Sequence, residues 1–334
     1  MAVTLKDVAT LAGVSVKTVS NVVNGYAFVK PENRRRVEEA LASTGYRPNV
    51  GARNLRRGRT GFLALMVPEL SIPYFGELAG LVITAARARG WNVLIEQTQG
   101  TRERERETLA SLGQHLVDGA LVHPEAVQAL DFPDVTSGIP FVLLGEHAVD
   151  VPIDHVAIDN VAAARVAVSH LAGLGRRRIA AIGRNPARGT SEQRLAGYRL
   201  GLADADLAYA DDLVAPAEKY HRAHGAAAMR ALLALPSRPD AVFCFNDLLA
   251  IGALRSVAEQ GLRVPEDVAI VGFDNNEESA FSLPALTTIA PDKAALAEAA
   301  IDLVHRRITG DRTSPPQDVQ TPFSLEIRES TVGR

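Results

Sequence analysis

From Gly61 onward, short apolar runs alternate with longer helical segments, and few folds accommodate that rhythm. The strand candidates are Phe62–Val67, Val93–Ile95, Ala120–Val122, Phe141–Leu144, Ile179–Ile182, Ala241–Phe245 and Val268–Phe273. The intervening helices are expected at Phe75–Arg89, Glu103–Leu116, Val161–Leu174, Gln193–Ala203, Gly225–Leu235, Leu248–Gln260 and Lys293–Ile308. Gly90, Gly175, Gly261 and Gly310 fall where helices should stop. Apolar strands joined by helices imply parallel α/β sheets. Some 270 residues exceed what one such sheet needs, so two lobes are expected. The alternating charges of Arg102–Glu107 read as a solvated helix face.

The first 45 residues have a different period. Thr4-Leu5-Lys6-Asp7 reads as a capping box, with Leu5, Val8, Ala9 and Ala12 at helical spacing behind it. Gly13-Val14 breaks that helix, and Ser15 is a good cap for a second one with Val16, Val19, Val22 and Val23 on its apolar stripe. Asn24-Gly25 ends it. A third helix starts at Pro31, buries Val37, Ala40 and Leu41, and stops near Gly45. Two short helices around a tight glycine turn, followed by a third, make a helix-turn-helix, whose second helix enters the DNA major groove. A generic three-helix bundle shares the apolar spacing. It has no need for the outward row Val16, Lys17, Thr18, Ser20 and Asn21, in which Lys can reach guanine and Asn can pair with adenine.

Charge supports the helix-turn-helix reading. Residues 1–60 hold 11 Lys and Arg against four acids, a net +7. The remaining 25 basic and 35 acidic residues leave 61–334 at −10, although the whole chain is only −3. A basic module on an acidic body suggests a polyanionic partner. The single cysteine, Cys244, excludes an internal disulfide and a multi-cysteine zinc site. The N-terminus lacks the apolar run of a secretory signal, and no stretch approaches the roughly 20 apolar residues of a membrane span. The expected location is the cytoplasm, with no membrane partner.

The run Val3-Thr4-Leu5-Lys6-Asp7-Val8-Ala9, Ala12-Gly13-Val14-Ser15, Thr18-Val19-Ser20-Asn21-Val22-Val23-Asn24 and Gly45-Tyr46-Arg47-Pro48-Asn49 with Ala52, Arg53 and Leu55 resembles the headpiece of the lactose-repressor/galactose-repressor (LacI/GalR) family. The similarity extends through the whole chain. It implies an all-α helix-turn-helix headpiece plus an α/β two-lobed effector domain of the type I periplasmic-binding-protein-like class. The implied segments are a headpiece at 1–47, a hinge at 48–60, and an effector and dimerisation domain at 61–334. One lobe would take about 61–160 and 291–320, the other 161–290 and 321–334.

By the same resemblance, Val16, Lys17 and Asn21 are base-reading positions, and Thr4, Ser15, Thr18, Ser20 and Asn24 face phosphate. Asn21 departs from the family, many of whose members carry Arg there, so the half-site sequence does not transfer. Val50–Arg57 alone is too short for a stable isolated helix and reads as a basic linker. The resemblance implies a hinge helix that folds in pairs on DNA, with Ala52, Arg53 and Leu55 in the minor groove and Leu55 as the wedge.

Polar residues recur after the strands: His123, Glu146, Asn246-Asp247 and Asp274-Asn275-Asn276. Singly each is a cap or loop residue, and Asp247 in particular reads as an N-cap. Their recurrence favours a pocket at the carboxyl ends of the sheets. The resemblance places Pro73, Tyr74, Phe75, His123, Glu146, Thr190, Arg194, Tyr220, Asn246 and Asp274 around an effector cleft. Arg, Asp and Asn beside aromatics suit a mono- or oligosaccharide, which is the expected effector, and a purine is the alternative that the same residues would also fit.

There is no phosphate loop, no GxSxG and no HExxH. His221 and His224 lack an evident third metal ligand, and Cys244, within an apolar run, reads as a buried inert thiol. No catalytic residue, metal or cofactor is expected. The chain is expected to be a homodimeric transcriptional repressor on a pseudo-palindromic operator, controlled by a small ligand whose sign of action stays open. A transport receptor of the same fold would have no use for the basic headpiece, and an enzyme would need a catalytic constellation.

Overall fold

A computed structural model describes residues 3–24, 26–46, 59–112, 117–132, 138–145, 151–186 and 189–333. The chain divides into two compact units, Met1–Thr60 and Gly61–Arg334.

In the first unit, α1 (Leu5–Ala12) opens with a reciprocal cap. The Asp7 amide donates to the Thr4 hydroxyl at 3.3 Å, and the Asp7 carboxylate accepts from the Thr4 amide at 2.8 Å. These bonds to Thr4 hold the Asp7 carboxyl below its usual range. The turn after α1 demands glycine: Gly13 has φ 59°, and a Cβ there would lie 2.2 Å from the Arg36 guanidinium. Ser15 caps α2 (Val16–Val23) by accepting from the Thr18 amide at 3.1 Å. Proline opens α3 (Pro31–Thr44), and left-handed Gly45 ends it. Val8, Ala9, Ala12, Val19, Val22, Val37 and Ala40 form the shared core. Each fully buried valine stabilises it by roughly 1.5–3 kcal/mol before chain entropy is counted.

The second unit is built on two six-stranded sheets. In chain order come β1 (Phe62–Val67), α4 (Pro73–Ala88), β2 (Asn92–Gln97), α5 (Arg102–Leu112), β3 (Gly119–Val122), β4 (Phe141–Leu144), β5 (Asp154–Ala157), α6 (Asn160–Gly173) and β6 (Ile179–Arg184). They are followed by α7 (Gly189–Asp204), β7 (Val214–Pro216), α8 (Arg222–Leu233), β8 (Ala241–Cys244), α9 (Asp247–Glu259), β9 (Ala269–Phe273), α10 (Glu277–Phe281) and β10 (Thr287–Pro291). The C-terminal elements are α11 (Lys293–Thr309), β11 (Asp318–Gln320), β12 (Phe323–Glu326) and α12 (Glu329–Val332).

The first sheet has the order β11-β5-β4-β3-β1-β2 and the second β12-β10-β9-β8-β6-β7. Both are parallel, except that β12 runs antiparallel to β10. The chain therefore passes between the sheets after β5, after β10 and after β11. One face of the first sheet is covered by α4 and α11 through Leu78, Val82, Ala300, Ile301 and Val304; Leu109 and Leu112 of α5 cover the other. The second sheet is sandwiched in a single continuous core that includes Cys244, whose thiol pKa is pushed up by burial.

The expected strands occur, with shifts of one or two residues at several ends, and β5, β7, β10, β11 and β12 are additional. The helix expected at Glu103–Leu116 is described over Arg102–Leu112, and residues 113–116 lie outside the described set. Its charged face is not wholly solvated. Glu105 is fully buried and accepts from the backbone amides of Glu125, Ala126 and Val127 at 2.8, 2.9 and 2.8 Å. Among the described residues no helix is long and apolar enough to cross a membrane.

Candidate functional site

On the first unit, α2 presents Val16 and Lys17 to solvent, with Asn21 half-buried one turn further along. The Ser15 and Thr18 hydroxyls lie 2.9 Å apart at the start of α2. At its end, the Asn24 side-chain amide donates to the Ser20 carbonyl at 2.6 Å and lies 3.3 Å from the Ser20 hydroxyl. Ser15, Thr18, Ser20 and Asn24 therefore brace the two ends of the helix. Thr4 is engaged with Asp7, its hydroxyl donating to that carboxylate at 2.7 Å. Sequence reasoning missed the loop after α2. Phe28 is 89% exposed there, edge-on to Tyr26 at 5.9 Å, and the loop is pinned by Tyr26 N donating to Asn21 O and Arg34 donating to Tyr26 O. Ala52, Arg53 and Leu55 lie outside the described residues.

In the second unit a cleft opens at the carboxyl ends of both sheets. Its walls include Tyr74 and Phe75 from the first turn of α4, His123 after β3, Thr190 and Arg194 of α7, Tyr220 before α8, Asn246 after β8 and Asp274 after β9. Sequence reasoning missed Ile72, Pro124, Glu125, Gly189 and Pro291, which also border it. Their apolar or loop character gives no chemical signal. Pro73 opens α4 and does not border the cavity. Glu146 lies outside the described residues. The space left among these side chains is about 60 Å³, small beside the roughly 300–1,000 Å³ of ordinary ligand pockets.

An aromatic corner forms one wall. The His123 ring stands edge-on to Phe75 at 4.9 Å and to Tyr74 at 6.4 Å. The loop carrying His123-Pro124-Glu125 is held by the buried Glu105 carboxylate, through the amides of Glu125 to Val127.

Arg194 dominates the opposite wall and is only 5% exposed. Its Nε donates to Asn160 Oδ1 at 2.8 Å, a terminal nitrogen donates to the Phe245 carbonyl, and its guanidinium carbon lies 3.5 Å from the Phe273 ring centroid. Two neutral acceptors and a ring face engage only part of a five-donor group. The Tyr220 hydroxyl donates to Gly183 O at 2.9 Å, so this residue offers its ring rather than its hydroxyl.

The cap of α9 is Asn246, not Asp247 as its sequence suggested. Asn246 Oδ1 accepts from the Leu249 amide at 2.9 Å, and its Nδ2 donates to Tyr220 O at 3.2 Å. Asp247 turns inward and is fully buried. It accepts from Thr288 Oγ1 at 2.6 Å, Ser279 Oγ at 2.5 Å and the Asn276 amide at 2.9 Å. Desolvation outweighs these bonds and pushes its pKa up to about 6. A Cβ at Gly272 would meet this carboxylate at 2.2 Å, which accounts for glycine there.

Glu69 reaches His221 Nε2 at 3.0 Å. Burial pushes the Glu69 carboxyl up, but hydrogen bonds with Ser71 and His221 outweigh it and leave the pKa low. The His221 and His224 rings lie 6.2 Å apart, and among the described residues no three His, Cys, Asp or Glu side chains converge as a metal site.

Comparison with known proteins matches this arrangement. Residues 4–49 match the family of bacterial regulatory proteins of lacI type, and residues 168–331 match the periplasmic binding protein-like domain. The chain is 31% identical over 329 residues to an HTH-type transcriptional repressor PurR from Mannheimia succiniciproducens, covering 98% of each chain. It resembles the transcriptional regulator CelR–cellobiose complex at 33% identity and a TM-score of 0.75, covering 98% and 99% of the two chains. It also resembles the Lac repressor dimer bound to operator and the anti-inducer ONPF, at 26% identity and a TM-score of 0.88 over 100% of both chains. A basic helix-turn-helix unit, a two-sheet ligand-binding domain and full-length relatives that are repressors lead to one conclusion: this chain belongs to the LacI family of DNA-binding transcriptional repressors.

Proposed function

We propose that this repressor is controlled by a sugar bound in the cleft. The observation that carries the reading is Arg194, a buried guanidinium engaged by neutral acceptors, on the same cleft as Asp274, Tyr74, Phe75 and Tyr220. Arg and Asp together match the paired donor and acceptor character of vicinal hydroxyls, and aromatic faces suit the apolar side of a pyranose. Similarity to a regulator complexed with cellobiose supports this. A purine is the second reading, favoured by the PurR relatives and by the aromatic corner at Tyr74, Phe75 and His123.

On DNA, Val16, Lys17 and Asn21 read bases in this proposal. Thr4, Ser15, Thr18, Ser20 and Asn24 position the headpiece on phosphates, and Ala52, Arg53 and Leu55 enter the minor groove. The working form is a cytoplasmic homodimer on a two-fold operator and has no enzymatic activity. Exposed Phe281 and Leu283, at 81% and 77%, and the open edge strand β2 with Leu94 and Ile95 give a second copy apolar surface to cover.

The test is a mobility shift against the DNA upstream of the chain's own gene, with D-ribose, cellobiose, adenine and guanine as probes. A sequence-selective, salt-sensitive complex altered by a saccharide is expected. Alteration by a purine alone replaces the sugar reading with the second one.

A further inference from the structure

The turn carrying Asp274 is strained and heavily braced. Asp274 has φ 112° and Asn275 φ 48°, conformations that non-glycine residues rarely hold unless their surroundings impose them. The bracing comes from several sides. Below the turn, Asp247 holds the Asn276 amide, and Thr288 receives the Asn275 amide at 3.3 Å. From the C-terminal segment, Arg328 donates to Asn275 Oδ1 at 2.8 Å. From α11, Lys293 Nζ donates to the Asp274 carbonyl at 2.9 Å and the Asn275 carbonyl at 3.1 Å.

The third bond of Lys293 changes what the brace does. Its ammonium also pairs with the Glu77 carboxylate of α4, so all three protons are placed. Glu77 lies one helical turn after Tyr74 and accepts from the Glu277 amide of α10 at 3.1 Å through its other oxygen. One largely sequestered ammonium, 11% exposed in its side chain, therefore joins the turn that carries Asp274 to the helix that carries Tyr74 and Phe75. The Asp274 turn follows a strand of the second sheet, whereas α4 covers the first sheet. Both α4 and α11 cover the first sheet, so the pair lies on one lobe and reaches the other through the Lys293 bonds to the Asp274 and Asn275 carbonyls and the Glu277 amide on Glu77, beside a cleft that holds little free space.

We infer that Lys293 and Glu77 are positioning residues of the cleft: their ion pair anchors Lys293 on the first lobe, and its bonds to the Asp274 turn, with the Glu277 amide on Glu77, fix Asp274 opposite Tyr74 and Phe75 and set how far the two lobes part. The inference rests on reading the cleft as the effector site only for its consequence, that ligand binding and operator release pass through this pair. Admitting a ring-sized guest loads the tie. Lys293→Met removes both bonds to the Asp274 turn, and Glu77→Gln deprives the ammonium of the charged partner that anchors it on α4, so each loosens the tie between the lobes.

The test uses the full-length protein, and its principal readout needs no ligand. Nitroxide labels at Glu107→Cys on α5 and Leu200→Cys on α7, both exposed, report the interlobe distance by electron double resonance; Cys244 is buried and stays unlabelled. In Lys293→Met and Glu77→Gln the distance distribution should broaden or move to longer values, whereas Lys293→Arg should retain the wild-type distribution. Distributions unchanged in both neutral variants overturn the inference, whatever the ligand panel shows. The second readout is the response of operator binding to D-ribose, cellobiose, adenine and guanine. Where the wild type responds, Lys293→Met should need a probe concentration higher by on the order of tenfold, the loss expected for a charge-assisted hydrogen bond. If the distances shift while the wild type responds to no probe, the tie stands and the reading of these probes as effectors fails.

Discussion

The Asp247 carboxylate meets the Thr288 hydroxyl at 2.6 Å directly beneath the turn that carries Asp274. A fully buried acid thus supports the floor of the cleft. Burial pushes its pKa from 3.8 up to about 6, so the folded chain binds a proton there that the unfolded chain has already released. The stability tied to that proton is complete below about pH 4 and is lost as pH rises through about 6. Urea melts of wild type and Asp247→Asn between pH 4 and 7 should show the wild type losing about 1–3 kcal/mol relative to the variant across that window. Parallel curves would remove the titration from Asp247.

Glu105 should behave as a structural anchor. Its carboxylate accepts three amides of the loop behind His123, and glutamine cannot reproduce that acceptor set. Glu105→Gln is expected to cost about 1–3 kcal/mol in denaturant melts. Amide exchange at Glu125 to Val127 should accelerate first. Protection equal to wild type at those amides contradicts the anchoring role.

Arg194→Met should abolish the response of operator binding to whichever probe is active on the wild type, with basal operator binding retained. The side chain lies in the second unit, whereas the helix-turn-helix lies in the first, so the two measurements separate the functions. A retained response moves the ligand to another surface.

Lys17→Ala should relax discrimination between cognate and altered operators by roughly 1–3 kcal/mol if the ammonium reads a base. Equal loss on random DNA, with a shallower salt slope, makes Lys17 a phosphate contact instead. The check is a titration series at several salt concentrations on both duplexes.

Much of this molecule is legible in its sequence because local chemistry decides it. The capping box at Thr4, the Gly13 turn and the apolar strands β1, β4 and β8 follow from short-range rules. Strands β5 and β10 were missed for the opposite reason. Each opens on polar residues, Asp154-His155 and Thr287-Thr288, that mask the short apolar stretch after them, Val156-Ala157-Ile158 and Ile289-Ala290, and their pairing with β4 and β9 is set by the sheet rather than by local pattern. Asn246 and Asp247 are both good caps by type, and only the placement of Ser279 and Thr288 decides which one turns inward. Glu105 looks like its solvated neighbours until the loop at Glu125 arrives 20 residues later. Lys293 gave no signal, since its partner Glu77 is 216 residues away.

The strands β11 and β12 have a consequence for synthesis. Each adds an outer strand to one sheet, and both lie beyond residue 317. A ribosome therefore releases the helix-turn-helix hundreds of residues before either lobe can be completed. A polypeptide cut short near residue 310 would already carry the helix-turn-helix but would lack an outer strand of each sheet and Arg328 behind the Asp274 turn, so its second unit could not be completed.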